Sequence, residues 1–139
     1  MALSRNFIHR GLATELQANF SEPTRIVWEN TFKSSDANEP WLEEIFLPTD
    51  TLPTTAMRDG YTRDFGIYQI NVYIPTGKGT IISDNYIDEL SQIFKTGVEI
   101  IKDGELIIID RSTPTQGFIV DNWYVVPFSV YWTCDMKVN

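Results

Sequence analysis

From Asp64 to Ile74 the apolar residues fall on alternate positions. Tyr68, Ile70, Val72 and Ile74 share one face, with Gln69 and Asn71 on the other. That is the period of a β-strand with one face in a core. The stretch Asn122–Thr133 repeats the pattern, placing Tyr124, Val126, Phe128, Val130 and Trp132 on one side. Pro127 falls on the opposite side and removes one ladder donor, which predicts an edge or a bulge there. Two other segments carry a four-residue spacing. Ile8, Leu12, Leu16 and Phe20 predict a helix over residues 4–20, ended by Ser21-Glu22-Pro23. Ile82, Tyr86, Leu90, Ile93 and Phe94 predict a second helix over 80–95, stopped at Gly97.

Shorter apolar runs complete the plan. Arg25–Glu29 and Trp41–Leu47 read as strands, the second stopped by Pro48. Val98–Lys102 and Glu105–Ile109 flank Asp103-Gly104, a pair suited to the positive φ angles of a two-residue hairpin turn. Lys33–Pro40 reads as a loop, and Thr49–Arg63, with five threonines and no periodicity, as a long loop or arm. The predicted fold is α+β: a mostly antiparallel sheet of about five to six strands, both helices on one face, and a long arm between strands. At 139 residues the chain makes one domain, residues 1–139, with neither repeats nor a low-complexity tail.

Charge narrows the function classes. There are 11 basic and 19 acidic residues, a formal net charge of −8, and no run of Lys or Arg. Specific binding to duplex DNA needs a basic patch, so this chain is read as one that repels nucleic acid. No apolar stretch is long enough to span a membrane, and the N-terminal 20 residues lack the continuous apolar segment of a signal peptide. A single cysteine, Cys134, fits a reducing compartment, and the expected location is cytoplasmic.

The residues that usually carry chemistry are scattered. His9 stands alone on the first helix and Cys134 alone near the end; they read as a surface histidine and a small buried or half-buried thiol. Glu43 and Glu44 are neighbours on a strand and so point to opposite faces. Asp84 and Asp88 share a solvated helix face. Gly77-Lys78-Gly79-Thr80 precedes a helix but lacks the spacing of a phosphate-binding loop, and its glycines serve a tight turn. The aromatics Trp123, Tyr124, Phe128, Tyr131 and Trp132 have no basic residue among them, which favours packing and protein contact over nucleic-acid stacking. The expectation is a protein with no catalytic residues, no cofactor and no metal.

One resemblance goes further. Trp41 leading to Phe46-Leu47-Pro48, then Gly66-Ile67-Tyr68-Gln69-Ile70-Asn71-Val72-Tyr73-Ile74-Pro75, then Gly77-Lys78-Gly79, an amphipathic helix and Ile93-Phe94-Lys95-Thr96-Gly97, resembles the tail terminator (tail-completion) proteins of long-tailed bacteriophages and prophages. The resemblance implies a structural protein with helices on one side of a sheet. It implies a homo-oligomeric ring, a hexamer, that caps the tail tube, stops its elongation and offers the surface for head joining. The implied partners are further copies of the chain, the tail tube protein and the head connector or head-completion protein. DNA would pass through without specific binding, and no membrane is involved. The implied place is the head-proximal end of the virion tail, with assembly in the host cytoplasm.

Loop and strand-face reasoning, rather than the resemblance, selects the contact residues. Arg58, Asp59 and Arg63 are expected to meet the tube or a neighbour. Gln69, Asn71 and Tyr73, on the outward face of the long strand, are expected to meet the next subunit. Two alternatives stay open: a head-completion or minor tail protein at a neighbouring joint, and a small-molecule-binding domain or enzyme with a pocket between sheet and arm.

Overall fold

A computed structural model describes residues 3–21, 25–30, 39–53, 61–102 and 105–137. The first helix, α1, spans Leu3–Asn19 and the second, α2, spans Ile81–Ile93. Seven strands accompany them: β1 Arg25–Val27, β2 Trp41–Pro53, β3 Tyr61–Pro75, β4 Glu99–Lys102, β5 Glu105–Pro114, β6 Phe118–Val120 and β7 Trp123–Lys137. They form one sheet in the order β1-β2-β3-β7-β5-β4, with β6 also paired to β7.

Four expectations need correction. The sheet is mixed rather than mostly antiparallel, because β1 runs parallel to β2, Arg25 lying beside Trp41. Apolar alternation carries no sign of strand direction, and residues 28–40 give the length a parallel return needs. Among the described residues the strands number seven rather than five or six. Phe118-Ile119-Val120 is too short to show alternation, and all three residues are exposed. At both ends of the Thr49–Arg63 arm the described residues are paired strand: Thr51 lies beside Asp64, Leu52 beside Arg63 and Pro53 beside Thr62. Pro48 does not stop β2; the register shifts between Pro48 and Thr51, a bulge at which a missing donor is tolerated. The polar stretch 31–38, the Asp103-Gly104 turn, Arg58 and Asp59 lie outside the described residues. The register across that turn, Lys102 beside Glu105, is that of the expected hairpin.

β7 is the central strand, paired to β3 along its whole length from Tyr61–Lys137 to Pro75–Trp123. Its other side is shared by β5, from Ile107–Cys134 to Pro114–Phe128, and β6, from Phe118–Val125 to Val120–Trp123. Pro127 lies between those two ladders. There its carbonyl accepts from the Thr115 N–H, at 2.9 Å, and no ladder bond requires a donor. The proline thus marks the handover from one neighbouring strand to the next in the middle of the sheet.

Strand alternation places the core. Leu42, Tyr68, Ile70, Val72, Ile74, Val126, Phe128, Val130, Trp132, Ile107, Ile109 and Ile100 project to one side and are buried. Ile8, Leu12 and Leu16 of α1 join the same cluster with Tyr86 and Leu90 of α2 and Phe94 at its end. Both helices therefore cover one face, as their apolar spacing requires. Gly66 sits in β3 where backbones crowd. A Cβ there would lie 2.5 Å from the Leu47 carbonyl oxygen and 2.8 Å from the Pro48 Cα.

Candidate interaction surface

The face turned away from the helices is built by odd-numbered residues of β2, β3 and β7. Trp41 stacks on Tyr73 with ring centres 3.8 Å apart, and Trp123 stands edge-on to both at 5.9 and 6.3 Å. Beside this aromatic group, Glu43 accepts from the Asn71 side-chain amide at 3.2 Å and from the Tyr73 hydroxyl at 3.1 Å. Gln69 donates to the Asn71 side-chain oxygen at 2.9 Å. Alternation placed Gln69, Asn71 and Tyr73 on this face, and the fold brings them into one hydrogen-bonded row. The row is not bare: Asn71 is only 9 % exposed. Burial, then the Glu43 charge and hydrogen bond, push the Tyr73 hydroxyl up to about 12.

Arg63 lies farther along the same face of β3. Its guanidinium donates to Asp135 on β7 at 2.8 and 3.0 Å, a bidentate fork across register partners. That bond holds the Asp135 carboxyl below its usual range. Both side chains are about half exposed, so the pair adds little to stability but fixes where a charge is displayed.

Two apolar patches were not singled out by sequence reasoning. On the β4–β5 hairpin, Ile101 lies opposite Leu106 and Glu99 opposite Ile108. Ile101 is 73 % exposed, with Leu106 and Ile108 also open, while Ile100, Ile107 and Ile109 are buried. The unbroken run Leu106-Ile107-Ile108-Ile109 was the available signal, since a strand with a solvated face should alternate. The second patch is β6, where Phe118, Ile119 and Val120 are all exposed and Ile119 is 68 % open. Exposed apolar residues on an edge strand mark a place where another chain pairs or packs.

The helix-covered side holds a polar cluster in place of the expected surface histidine. His9 is half-buried, with its ring parallel to Phe46 at 4.8 Å. Its Nε2 lies 3.1 and 2.9 Å from the two carboxylate oxygens of Glu44. Glu44, 1 % exposed, also accepts from the Tyr68 hydroxyl at 2.6 Å and the Glu29 backbone N–H at 2.9 Å. Glu29 in turn accepts from the Phe46 N–H at 2.8 Å. Burial alone would raise the Glu44 carboxyl, but the bonds from His9, Tyr68 and the Glu29 N–H hold it below its ordinary value. The hydrogen bond to Glu44 raises His9. Glu43 and Glu44 do face opposite sides. The sequence distance from His9 to Glu44 is what hid the pair.

A family model described as "Phage tail terminator protein" matches residues 8–132. The chain belongs to that family. The resemblance seen in the middle of the sequence therefore extends over nearly all of it. Membership makes this a structural protein of phage tail assembly, in a family of virion tail components rather than enzymes. Among solved structures, one chain superposes on this terminator-family protein with a TM-score of 0.77, covering 97 % of this chain and 98 % of its own at 19 % identity. That likeness concerns the fold. No curated protein matches the chain. Among the described residues no helix is long and apolar enough to cross a membrane.

Proposed function

We propose that this protein is the terminator itself: a hexameric ring that caps the last ring of the tail tube, stops its growth and presents the surface for the head connector. The observation that carries the reading is the pair of separate apolar patches, on the β4–β5 hairpin and on β6. A cyclic ring is head-to-tail, so each subunit must offer two different surfaces, one to each neighbour. The outward row of Gln69, Asn71 and Tyr73 meets the neighbouring subunit. Arg58, Asp59 and Arg63 belong to the end that reaches the tube. The net charge of −8 suits a channel that DNA slides through without adhering. The ring works at the head-proximal end of the tail and is assembled in the host cytoplasm.

The test is to polymerise the cognate tail tube protein with and without this chain and measure tube lengths by electron microscopy. Capping predicts short tubes bearing a terminal ring, and Arg63→Glu with the fold intact weakens capping. Unlimited tubes with the protein bound to the portal or connector instead would move it to a head-completion role.

A further inference from the structure

The cluster around His9 has the composition of a metal centre. One ligand atom each from His9, Glu29 and Glu44 lies within 4.8 Å of the others. We propose that these three side chains form a site for a divalent transition-metal ion of the zinc type, joining α1 to β2 and to the turn that follows β1.

Three observations support the assignment together. The donor set is one imidazole nitrogen and two carboxylate oxygens, which zinc accepts readily. Two carboxylates converge on a single imidazole, so the cluster is net negative even with His9 protonated, and a dication relieves that repulsion. The third observation is room beside the donors. An open cleft of about 450 Å³, lined by Asn6, His9, Glu29, Asn30, Phe46 and Pro48, adjoins them. Water or a partner's side chain would complete the coordination from that side.

The supporting shell is already in place. The parallel Phe46 ring fixes the imidazole plane, and the Tyr68 hydroxyl orients Glu44, as outer partners of metal ligands commonly do. Bonds of about 2.0–2.2 Å to zinc bring ligand atoms to roughly 3–3.5 Å apart. His9 Nε2 and the Glu44 oxygens, now at hydrogen-bond distances of 2.9 and 3.1 Å, would part by a few tenths of an ångström to take an ion between them. The closing movement falls on Glu29, which is exposed at the mouth of the cleft. Binding uses the Nε2 lone pair, so the proton that Nε2 donates to Glu44 moves to Nδ1 or to solvent.

The test is calorimetric titration of the EDTA-treated, dialysed full chain with zinc chloride, alongside His9→Gln and Glu29→Gln. Glu29→Gln is the decisive variant, because a glutamine oxygen still accepts the Phe46 N–H and leaves the fold's own bond in place. The expected result is one zinc per chain, a higher melting temperature with zinc, and affinity at least about tenfold weaker in both variants. X-ray absorption of the zinc-loaded protein should give nitrogen and oxygen neighbours and no sulfur. The assignment is overturned by an absence of saturable binding up to millimolar zinc. It is equally overturned by binding that Glu29→Gln leaves unchanged, which would place the ion elsewhere.

Discussion

Tyr73 joins the aromatic group to the polar row on the outward face, and its ionisation reads out that environment. Its hydroxyl is pushed up to about 12 by burial and by Glu43. A group whose pKa is raised on folding favours the folded state below the unfolded value of 10.0. That contribution is lost as pH rises from there towards 12. Phenolate absorbance should show one tyrosine titrating near 12 that disappears in Tyr73→Phe and moves down in Glu43→Gln. An alkaline titration unchanged by Tyr73→Phe would show that the row is not formed. Gly66 makes a second residue-scale test. Its absent Cβ lets β3 pass the Leu47 carbonyl, and the Trp132 ring lies 3.0 Å from where that atom would be. Backbone cannot yield as a flexible side chain does, so Gly66→Ala should cost about 1–3 kcal/mol in chemical denaturation. An unchanged midpoint would mean that the two strands are farther apart.

At the scale of elements, what was legible depended on burial pattern. α1 and α2 declared themselves because a helix on a sheet shows its apolar stripe at i, i+4 positions, and Ile8, Leu12 and Leu16 are all fully buried. Leu12→Ala should therefore cost about 2–5 kcal/mol, measured by urea unfolding. The strands Asp64–Ile74 and Asn122–Thr133 were legible for the same reason at period two. Other features lacked a local signal. The direction of β1 is a matter of topology, and β6 is too short to have a period. The 49–63 segment reads as an arm because threonines without alternation resemble loop, yet long-range pairing to β3 carries β2 on to Pro53. Cross-strand geometry also decided the site. Gln69, Asn71 and Tyr73 could be assigned to one face from alternation, whereas His9 and Glu44 meet across 35 residues of chain. The exposed patches belong to this scale too. Ile119→Asp on β6 and Ile101→Lys on the hairpin should each leave the monomer's melting temperature nearly unchanged. Each should weaken self-association by at least about tenfold, since a charge on a buried apolar contact is poorly tolerated. Equal association of both variants and the unaltered chain would remove these patches from the interface.

For the whole molecule, the sheet has one face covered by helices, and among the described residues six of the eight exposed large apolar side chains lie in two places, the β4–β5 hairpin and β6, with Leu47 and Ile81 outside them. A monomer of this kind is unfinished in the sense that its edges invite a neighbour. Head-to-tail contact through two unlike patches closes into a ring when the rotation between subunits divides the circle, which is the assembly proposed above. Membership of the terminator family and the distribution of exposed residues thus meet in one claim about assembly. The most direct test is the mass in solution by light scattering over a range of protein concentrations, with electron microscopy of the largest species. The account predicts a concentration-dependent shift from monomer to a closed hexameric ring, abolished by Ile119→Asp. A chain that stays monomeric at every concentration, and that also fails to cap or bind tail tubes, would contradict it.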